Sequence, residues 1–182
     1  HINPEEVGNN RNIIVSDQSG RSNIMSRLKT IGIEIEENDP KVKKLLEEVK
    51  DREFIGYSYD GADASFELLA RRLMGDIPRY ISINEYDVSV KKDKSGEIIS
   101  HAKAKLEVDG QKILCEGEGN GPVNALDNAI RKNVKKLNKY SKYLIDLRLV
   151  DYKVRILNTG TEAVTRVSIE STDSKGLNWF TI

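Results

Sequence analysis

Three glycines at alternate positions, followed by a proline, are the residues of this chain best placed to do chemistry. Gly117, Gly119 and Gly121 precede Pro122, and an amphipathic segment starts directly after them. Proline favours the first turn of a helix, so the sequence predicts a strand-to-helix turn with Asn120 or Gly121 as the helix cap. Backbone N–H groups at a helix N-terminus attract anions. The turn is therefore a candidate binding site for a small carboxylate.

Three other interpretations of this turn are a polyphosphate loop, a dinucleotide site and a purely structural turn. A polyphosphate loop needs Lys followed by Ser or Thr after the glycines, and Val123 and Asn124 follow the proline here. A dinucleotide site needs parallel strands joined by a helix, whereas the strands before this turn are predicted to form hairpins. A purely structural interpretation stays open, in which glycine only lets strand and helix pack closely.

The usual catalytic and metal-binding side chains form no cluster in the sequence. The histidines are His1 and His101, and neither has a second ligand at metal-binding spacing. Cys115 is the only cysteine and is expected to pack as a small apolar residue. A single cysteine allows no internal disulfide and favours a reducing, cytoplasmic compartment. We therefore predict no catalytic residue, no metal ligand and no cofactor in this chain.

The charge balance favours neither nucleic-acid nor membrane binding. Twenty-nine basic residues are matched by twenty-nine acidic residues, so no net field attracts a polyanion. No apolar run approaches the roughly 18 to 20 residues of a membrane span. Basic side chains do cluster in 131–142, and 62–138 follows the α-β-β-β-α order of a double-stranded-RNA-binding domain. Its last helix begins without lysines and with Asp127, so RNA binding is the least favoured alternative.

Three short helices are predicted before residue 76. The first is expected to be capped by Ser22, the second to begin at Pro40, and the third to lie within 61–75. Apolar residues of the second helix recur with helical spacing as far as Phe54. These helices are expected to form a small subdomain of their own.

Two similar sets of strands are predicted in the rest of the chain. Apolar residues alternate from Ile81 and slip by one residue before Tyr86, which predicts a bulge. Two more strands and a helix at about 122–137 complete a β-β-β-α unit. A second β-β-β series begins with a strand in 144–158 and reaches Ile182 without a helix. Its apolar face is expected to be covered by another segment or another chain.

Two motifs in this order resemble the C-terminal part of the 2-isopropylmalate synthase family, and most closely its citramalate synthase branch. They are NGPVNALD at 120–127 and DYKVRIL at 151–157. Segments 2–11 and 19–24 resemble that family's linker after the catalytic barrel, so the resemblance covers essentially the whole chain.

The resemblance implies an α+β fold with two parts. A small helical linker subdomain spans 1–76, and an allosteric regulatory domain with a pseudo-twofold β-β-β-α repeat spans 77–182. Repeat one is predicted at 77–140. Repeat two, at 141–182, is predicted to be truncated and to lack its final helix.

Members of this family condense acetyl-CoA with a 2-oxo acid such as pyruvate in a metal-dependent β/α barrel that has an H-x-H ligand motif. Nothing in this chain matches that barrel. The chain is therefore expected to be inactive alone, and the divalent metal and acetyl-CoA to belong to its parent acyltransferase. A first residue of His1 instead of Met fits an excised piece of a longer protein.

The resemblance also implies a homodimer that binds a branched-chain amino acid between the repeats and acts on the parent's catalytic barrel by feedback inhibition. Isoleucine is the expected effector in the citramalate branch and leucine in the isopropylmalate branch. Tyr152 is the best single candidate, because a buried tyrosine hydroxyl needs a polar partner. A pure dimerisation scaffold without ligand stays open as the alternative. The predicted effector-binding residues are Gly119, Asn120, Gly121, Pro122, Val123, Asn124, Leu149, Tyr152, Ile156, Ala163, Val164 and Thr165.

Overall fold

The structure is a computed structural model that describes residues 20–158, 160 and 162–182. His1 and the linker-like segment 2–11 lie outside these residues. The chain divides into two compact units: unit 1 joins the described residues before 78 to Arg148–Ile182, and unit 2 is Pro78–Leu147. The elements in chain order are α1 (Arg21–Thr30), α2 (Pro40–Phe54), α3 (Asp63–Met74), β1 (Ile81–Lys92), β2 (Ile98–Val108), β3 (Gln111–Gly119), α4 (Pro122–Val134), α5 (Asn138–Asp146), β4 (Arg148–Ile156), β5 (Thr165–Thr172) and β6 (Asn178–Thr181).

The three helices of unit 1 pack around one apolar cluster. The start of α2 follows the sequence prediction, with Pro40 in its first turn. Asp39 caps it, since its carboxylate accepts a hydrogen bond from the Lys41 amide at 2.8 Å. The buried residues of the cluster are Ile24, Leu28, Ile33, Val42, Leu45, Val49, Tyr59, Phe66, Leu69 and Ala70.

Two expectations for these helices are wrong. Ser22 lies inside α1, whose N-cap is Gly20, and the Gly20 carbonyl accepts from the Asn23 amide at 3.0 Å. Phe54, whose place in the apolar series of α2 implied a buried side chain, is 90% exposed. It comes five residues after Val49, about 140° further around the helix, and so points away from the buried face.

Replacing Asp39 by alanine is expected to lower the free energy of unfolding by about 1 kcal/mol, because the first turn of α2 loses its only side-chain cap. Urea unfolding followed by circular dichroism measures the change. Asp51→Ala, near the other end of the same helix, is the control and should lose nothing, since an acidic group there opposes the helix dipole. Equal losses in both variants would contradict a capping role.

Unit 2 is an antiparallel sheet in the order β1-β2-β3, covered on one face by α4. The register of β1 against β2 shifts between Ile83 and Glu85, which confirms the predicted bulge. Small side chains line the contact and let α4 approach closely. The buried residues between helix and sheet are Ala102, Ala104, Leu106, Val108, Cys115, Ala125, Ala129 and Val134.

The end of unit 2 differs from the sequence prediction. Helix α4 ends at Val134 instead of continuing to about 137. Part of the strand predicted in 144–158 is helical, because α5 continues to residue 146. The Arg131 guanidinium donates to the carbonyl oxygens of Leu144 and Leu147, both at 3.0 Å. These two bonds come from a residue 13 and 16 positions earlier in the chain and satisfy carbonyl groups at the end of α5. The local sequence pattern therefore did not reveal this short helix.

The sheet of unit 1 is antiparallel in the order β4-β5-β6, and its register shifts between Leu149 and Asp151. Helix α3 packs against β6. The Ser65 hydroxyl accepts a hydrogen bond from the Ile182 amide at 2.9 Å, which ties the start of α3 to the end of this sheet.

The α+β class with repeated β-β-β units is confirmed. Among the described residues no helix follows β6, whereas α4 follows β3. None of the described helices has the length and apolar character needed to cross a membrane. Unit 1 groups the second sheet with the helices. The functional division into a linker at 1–76 and repeats at 77–140 and 141–182 stays a prediction.

Candidate functional site

The glycines before α4 serve close packing at two of three positions. A β-carbon on Gly117 would lie 2.5 Å from the Ala129 nitrogen, and one on Gly119 would lie 2.6 Å from the Ala125 nitrogen. Real β-carbons essentially never come so near, so only glycine lets β3 meet the helix here. Gly121 is different: it has open space around it and an extended backbone with φ of −163°. The structural interpretation therefore holds for the first two glycines.

The amides at this turn are only partly available to a ligand. The Asn120 amide, predicted to be exposed, donates to Oδ1 of Asn124 at 3.3 Å. Pro122 has no N–H group, and no side chain of the described residues caps α4. Within the described residues the amides of Val123 and Asn124 have no acceptor, as expected for a first helical turn. Any anion would therefore bind to these two donors and not to the Asn120 amide.

One polar residue beside the turn was missed by the sequence analysis. Ser100 lies opposite Gly119 in the register of β2 and β3, so it faces α4. Its side chain is fully buried, and its hydroxyl has no hydrogen-bond partner among the described residues. Nothing in the sequence distinguishes this serine from the others, because only the register places it under the helix.

The predicted apolar residues of β4 share one face of the second sheet. Tyr152 pairs with Ile169 and Ile156 with Thr165. Leu149 pairs with Ser171, two residues from Ile169, so the register shift between Leu149 and Asp151 places Leu149 on the same side. Their exposed fractions are 57% for Leu149, 38% for Tyr152 and 64% for Ile156. The Tyr152 hydroxyl makes no hydrogen bond to the described residues. This face is thus a half-open apolar surface in unit 1.

The remaining predicted residues lie at the end of the β4–β5 hairpin. The Val164 amide donates to Oδ1 of Asn158 at 2.6 Å, and its carbonyl accepts from the Leu157 amide at 2.9 Å. Thr165 pairs with Ile156, and the half-buried Ala163 precedes them. A hollow of about 290 Å³ adjoins this end of the hairpin. It is lined by Ile55, Gly56, Tyr57, Leu157, Val164, Thr165, Arg166, Val167 and Ile182.

The twelve predicted site residues thus form two groups. In unit 2 the structure brings together Gly119, Asn120, Gly121, Pro122, Val123 and Asn124 around the start of α4. In unit 1 it brings together Ile156, Ala163, Val164 and Thr165, with Tyr152 and Leu149 further along the same strand. Their joint role in binding an effector stays a prediction.

Asp151 and Lys153 form an ion pair on β4, near these residues. A hydrogen bond from Lys153 lowers the pKa of Asp151, which also accepts from the Tyr152 amide at 2.8 Å. Burial raises the pKa of the Cys115 thiol, which keeps it protonated and unreactive at neutral pH. Among the described residues no group of three or more His, Cys, Asp or Glu side chains could hold a metal ion.

A family model and relatives of this chain indicate the same family. The model of the LeuA allosteric (dimerisation) domain matches residues 60–182. A protein named (R)-citramalate synthase from Aquifex aeolicus is 44% identical over 185 residues, which covers 100% of this chain and 34% of that protein. Its namesake from Geobacter sulfurreducens is 40% identical with the same coverage, and that from Methanocaldococcus jannaschii is 31% identical over 93% of this chain and 32% of its own length. The chain spans about a third of these relatives.

Proposed function

Because this chain belongs to the family of LeuA allosteric (dimerisation) domains, we propose that it is the regulatory part of a citramalate synthase. It forms a homodimer and binds a branched-chain amino acid, with isoleucine as the first candidate and leucine as the second. Binding feeds back on a catalytic barrel that this chain does not contain. In that barrel a divalent metal would assist the condensation of acetyl-CoA with pyruvate or another 2-oxo acid in the cytoplasm.

The row of apolar side chains on β4 carries this proposal. Leu149, Tyr152 and Ile156 lie along one half-open face, and none of the described helices of unit 1 lies over them. Burying an aliphatic group contributes about 0.8 kcal/mol per CH₂, so a fully buried butyl side chain gains about 3 kcal/mol. A branched aliphatic amino acid is the small metabolite that this surface suits best.

The start of α4, taken by itself in unit 2, is also suited to a carboxylate. The amides of Val123 and Asn124 have no acceptor among the described residues, and Gly121 leaves the approach to them open. A helix N-terminus of this kind favours an anion through its unpaired donors and its dipole. No lysine stands there, which suits one carboxylate better than a polyphosphate.

The same apolar face favours a second candidate function. A surface of exposed Leu149, Val154 and Ile156 side chains can also be covered by another copy of the chain. In that case the domain would hold two synthase subunits together without binding a ligand. Its stability would then depend on protein concentration and not on amino acids.

Calorimetric titration with isoleucine, leucine and valine separates the two functions. A regulatory domain should show heat of binding, and at 100 times Kd the ligand should raise stability by about 2.7 kcal/mol. Sedimentation over a range of concentrations tests the dimer independently. Absence of binding to all three amino acids at millimolar concentration would leave only the scaffold.

Tyr152→Ala is expected to weaken isoleucine binding at least about tenfold, or 1.4 kcal/mol, because the ring supplies apolar contact area. Tyr152→Phe should stay near the wild-type Kd if the ring and not the hydroxyl makes the contact. Tyr86→Ala is the matched control, since Tyr86 holds the equivalent place on β1 and is also exposed. A Tyr152→Ala variant that binds as tightly as the control would remove β4 from the site. Calorimetry provides each Kd.

A further inference from the structure

The end of α2 is closed by a glycine turn of defined geometry. The Tyr57 amide donates to the Arg52 carbonyl at 3.0 Å, and the Gly56 amide donates to the Glu53 carbonyl at 3.1 Å. Gly56 has φ of +115°, a conformation that glycine adopts without strain. These are the bonds of a Schellman motif. The carbonyl groups of Gly56 and Tyr57 point away from it and are left for other donors.

Arg166 of β5 donates hydrogen bonds to both of these carbonyl groups. Its Nε donates to the Gly56 carbonyl oxygen at 2.5 Å, and its terminal nitrogen donates to the Tyr57 carbonyl oxygen at 3.4 Å. A guanidinium presents several donors in a fixed plane, so one side chain can hold two successive carbonyl groups. Lysine, with a single ammonium on a flexible stem, cannot reproduce this geometry.

An apolar contact lies beside the polar one. A β-carbon on Gly56 would lie only 2.4 Å from Cδ1 of Leu157, so the Leu157 side chain rests directly on the glycine. Leu157 follows Ile156 in the chain, and Arg166 follows Thr165. The α2 turn is therefore held by the two residues adjacent to the paired Ile156 and Thr165 of the proposed effector face.

The two sides of the hairpin face different neighbours. Successive residues of a strand point to opposite faces, so Thr165 lies on the half-open apolar face while Arg166 points to the helices. The Leu157–Val164 backbone bond at 2.9 Å closes the hairpin at this end. A displacement of Ile156 or Thr165 by a bound molecule would consequently move the guanidinium that holds the α2 turn.

We propose that Arg166 couples occupancy of the effector face to the C-terminal turn of α2. This inference rests on the proposed function, since it gives the amino acid a route from β4 and β5 to the helices. Effector binding tightens the bonds from Arg166 to Gly56 and Tyr57, and thereby stabilises residues 55–57. Arg166 is thus a positioning residue that transmits the ligand's effect without touching the ligand.

Amide hydrogen exchange with and without saturating isoleucine tests the proposal in this chain. Coupling between sites typically amounts to a factor of about five or more, so isoleucine should slow exchange at 55–57 about fivefold in the wild type. Arg166→Met should abolish that response, and Arg166→Lys should retain only part of it. Arg155→Met is the matched control, because Arg155 is the register partner of Arg166 and makes no hydrogen bond to the described 55–57 turn.

The outcomes separate this inference from the proposed function. A merely structural Arg166 would loosen residues 55–57 equally with and without isoleucine, leaving the wild-type ratio of exchange rates in Arg166→Met. That result would overturn the coupling and leave the proposed regulatory function unaffected. The same holds if calorimetry shows binding but exchange at 55–57 of the wild type does not respond. Failure of the wild type to bind isoleucine, leucine or valine would overturn both. Should Arg166→Met not fold, the wild-type response and Arg166→Lys still decide.

Discussion

Replacing Phe66 by alanine is expected to lower the free energy of unfolding of unit 1 by about 3 to 5 kcal/mol. The Phe66 ring is fully buried, and the Tyr59 ring meets it edge-on with 6.3 Å between centroids. The guanidinium carbon of Arg27 lies 5.6 Å from the ring centroid on α3. Alanine would leave a cavity between three helices and remove both ring contacts. Urea unfolding followed by circular dichroism measures the loss.

Leu68→Ala on the same helix is the control for Phe66→Ala. Its side chain is 41% exposed, and alanine is at least as good a helix former, so its loss should stay below about 1 kcal/mol. A Phe66→Ala variant no less stable than this control would show that the cluster around Phe66 does not hold the three helices. Such a result would also weaken the role given to the turn after α2, which ends a helix of the same cluster.

Replacing Gly117 by alanine is expected to destabilise unit 2 by about 3 kcal/mol, the upper end for an overpacked site. The new β-carbon would lie 2.5 Å from the Ala129 nitrogen and 2.7 Å from its α-carbon. Both are backbone atoms, so the helix itself must move away from β3 and lose contacts along α4. For a chain of this length we expect the melting temperature to fall by about 2 to 4 °C per kcal/mol.

Gly121→Ala is the control for Gly117→Ala, four residues further along the same turn. A β-carbon there meets nothing within 4 Å, and the backbone is extended. Gly121 is the N-cap of α4, where alanine is less favourable than glycine, while alanine also makes the unfolded chain less flexible. We therefore expect a net loss of no more than about 1 kcal/mol. Calorimetric melting curves of both variants decide the question. If Gly121→Ala is damaged as much as Gly117→Ala, the glycines serve the turn and not the packing of α4.

Periodic patterns and turn residues were sufficient to predict most of the secondary structure. Asp39 and Pro40 marked the start of α2, and the one-residue slip before Tyr86 marked the bulge in β1. The short helix α5 was missed because its end depends on Arg131, which is distant in the chain. The capping role given to Ser22 failed because the chain becomes helical one residue earlier, after Gly20.

The candidate site was only partly predictable for a similar reason. The sequence located the turn before α4, but it could not show whether Gly117 and Gly119 face a ligand or a helix. The register decides that they face α4, together with Ser100. Nor could the sequence show that Asn124 bonds to the amide of Asn120. Such side-chain contacts depend on orientation, which residue spacing does not determine.

The two bulges have a consequence for the history of the chain. Each extra residue comes two positions before a tyrosine, Tyr86 in β1 and Tyr152 in β4. An irregularity repeated at the same place indicates duplication of an ancestral segment, after which the copies diverged. Ala102 and Ala104 of the first copy correspond to Val167 and Ile169 of the second. Because valine and isoleucine are larger than alanine, any group that packs on the second copy must lie further from its strands. The same ancestral surface thus became a closely packed layer in the first copy and a more open surface, available to new partners, in the second.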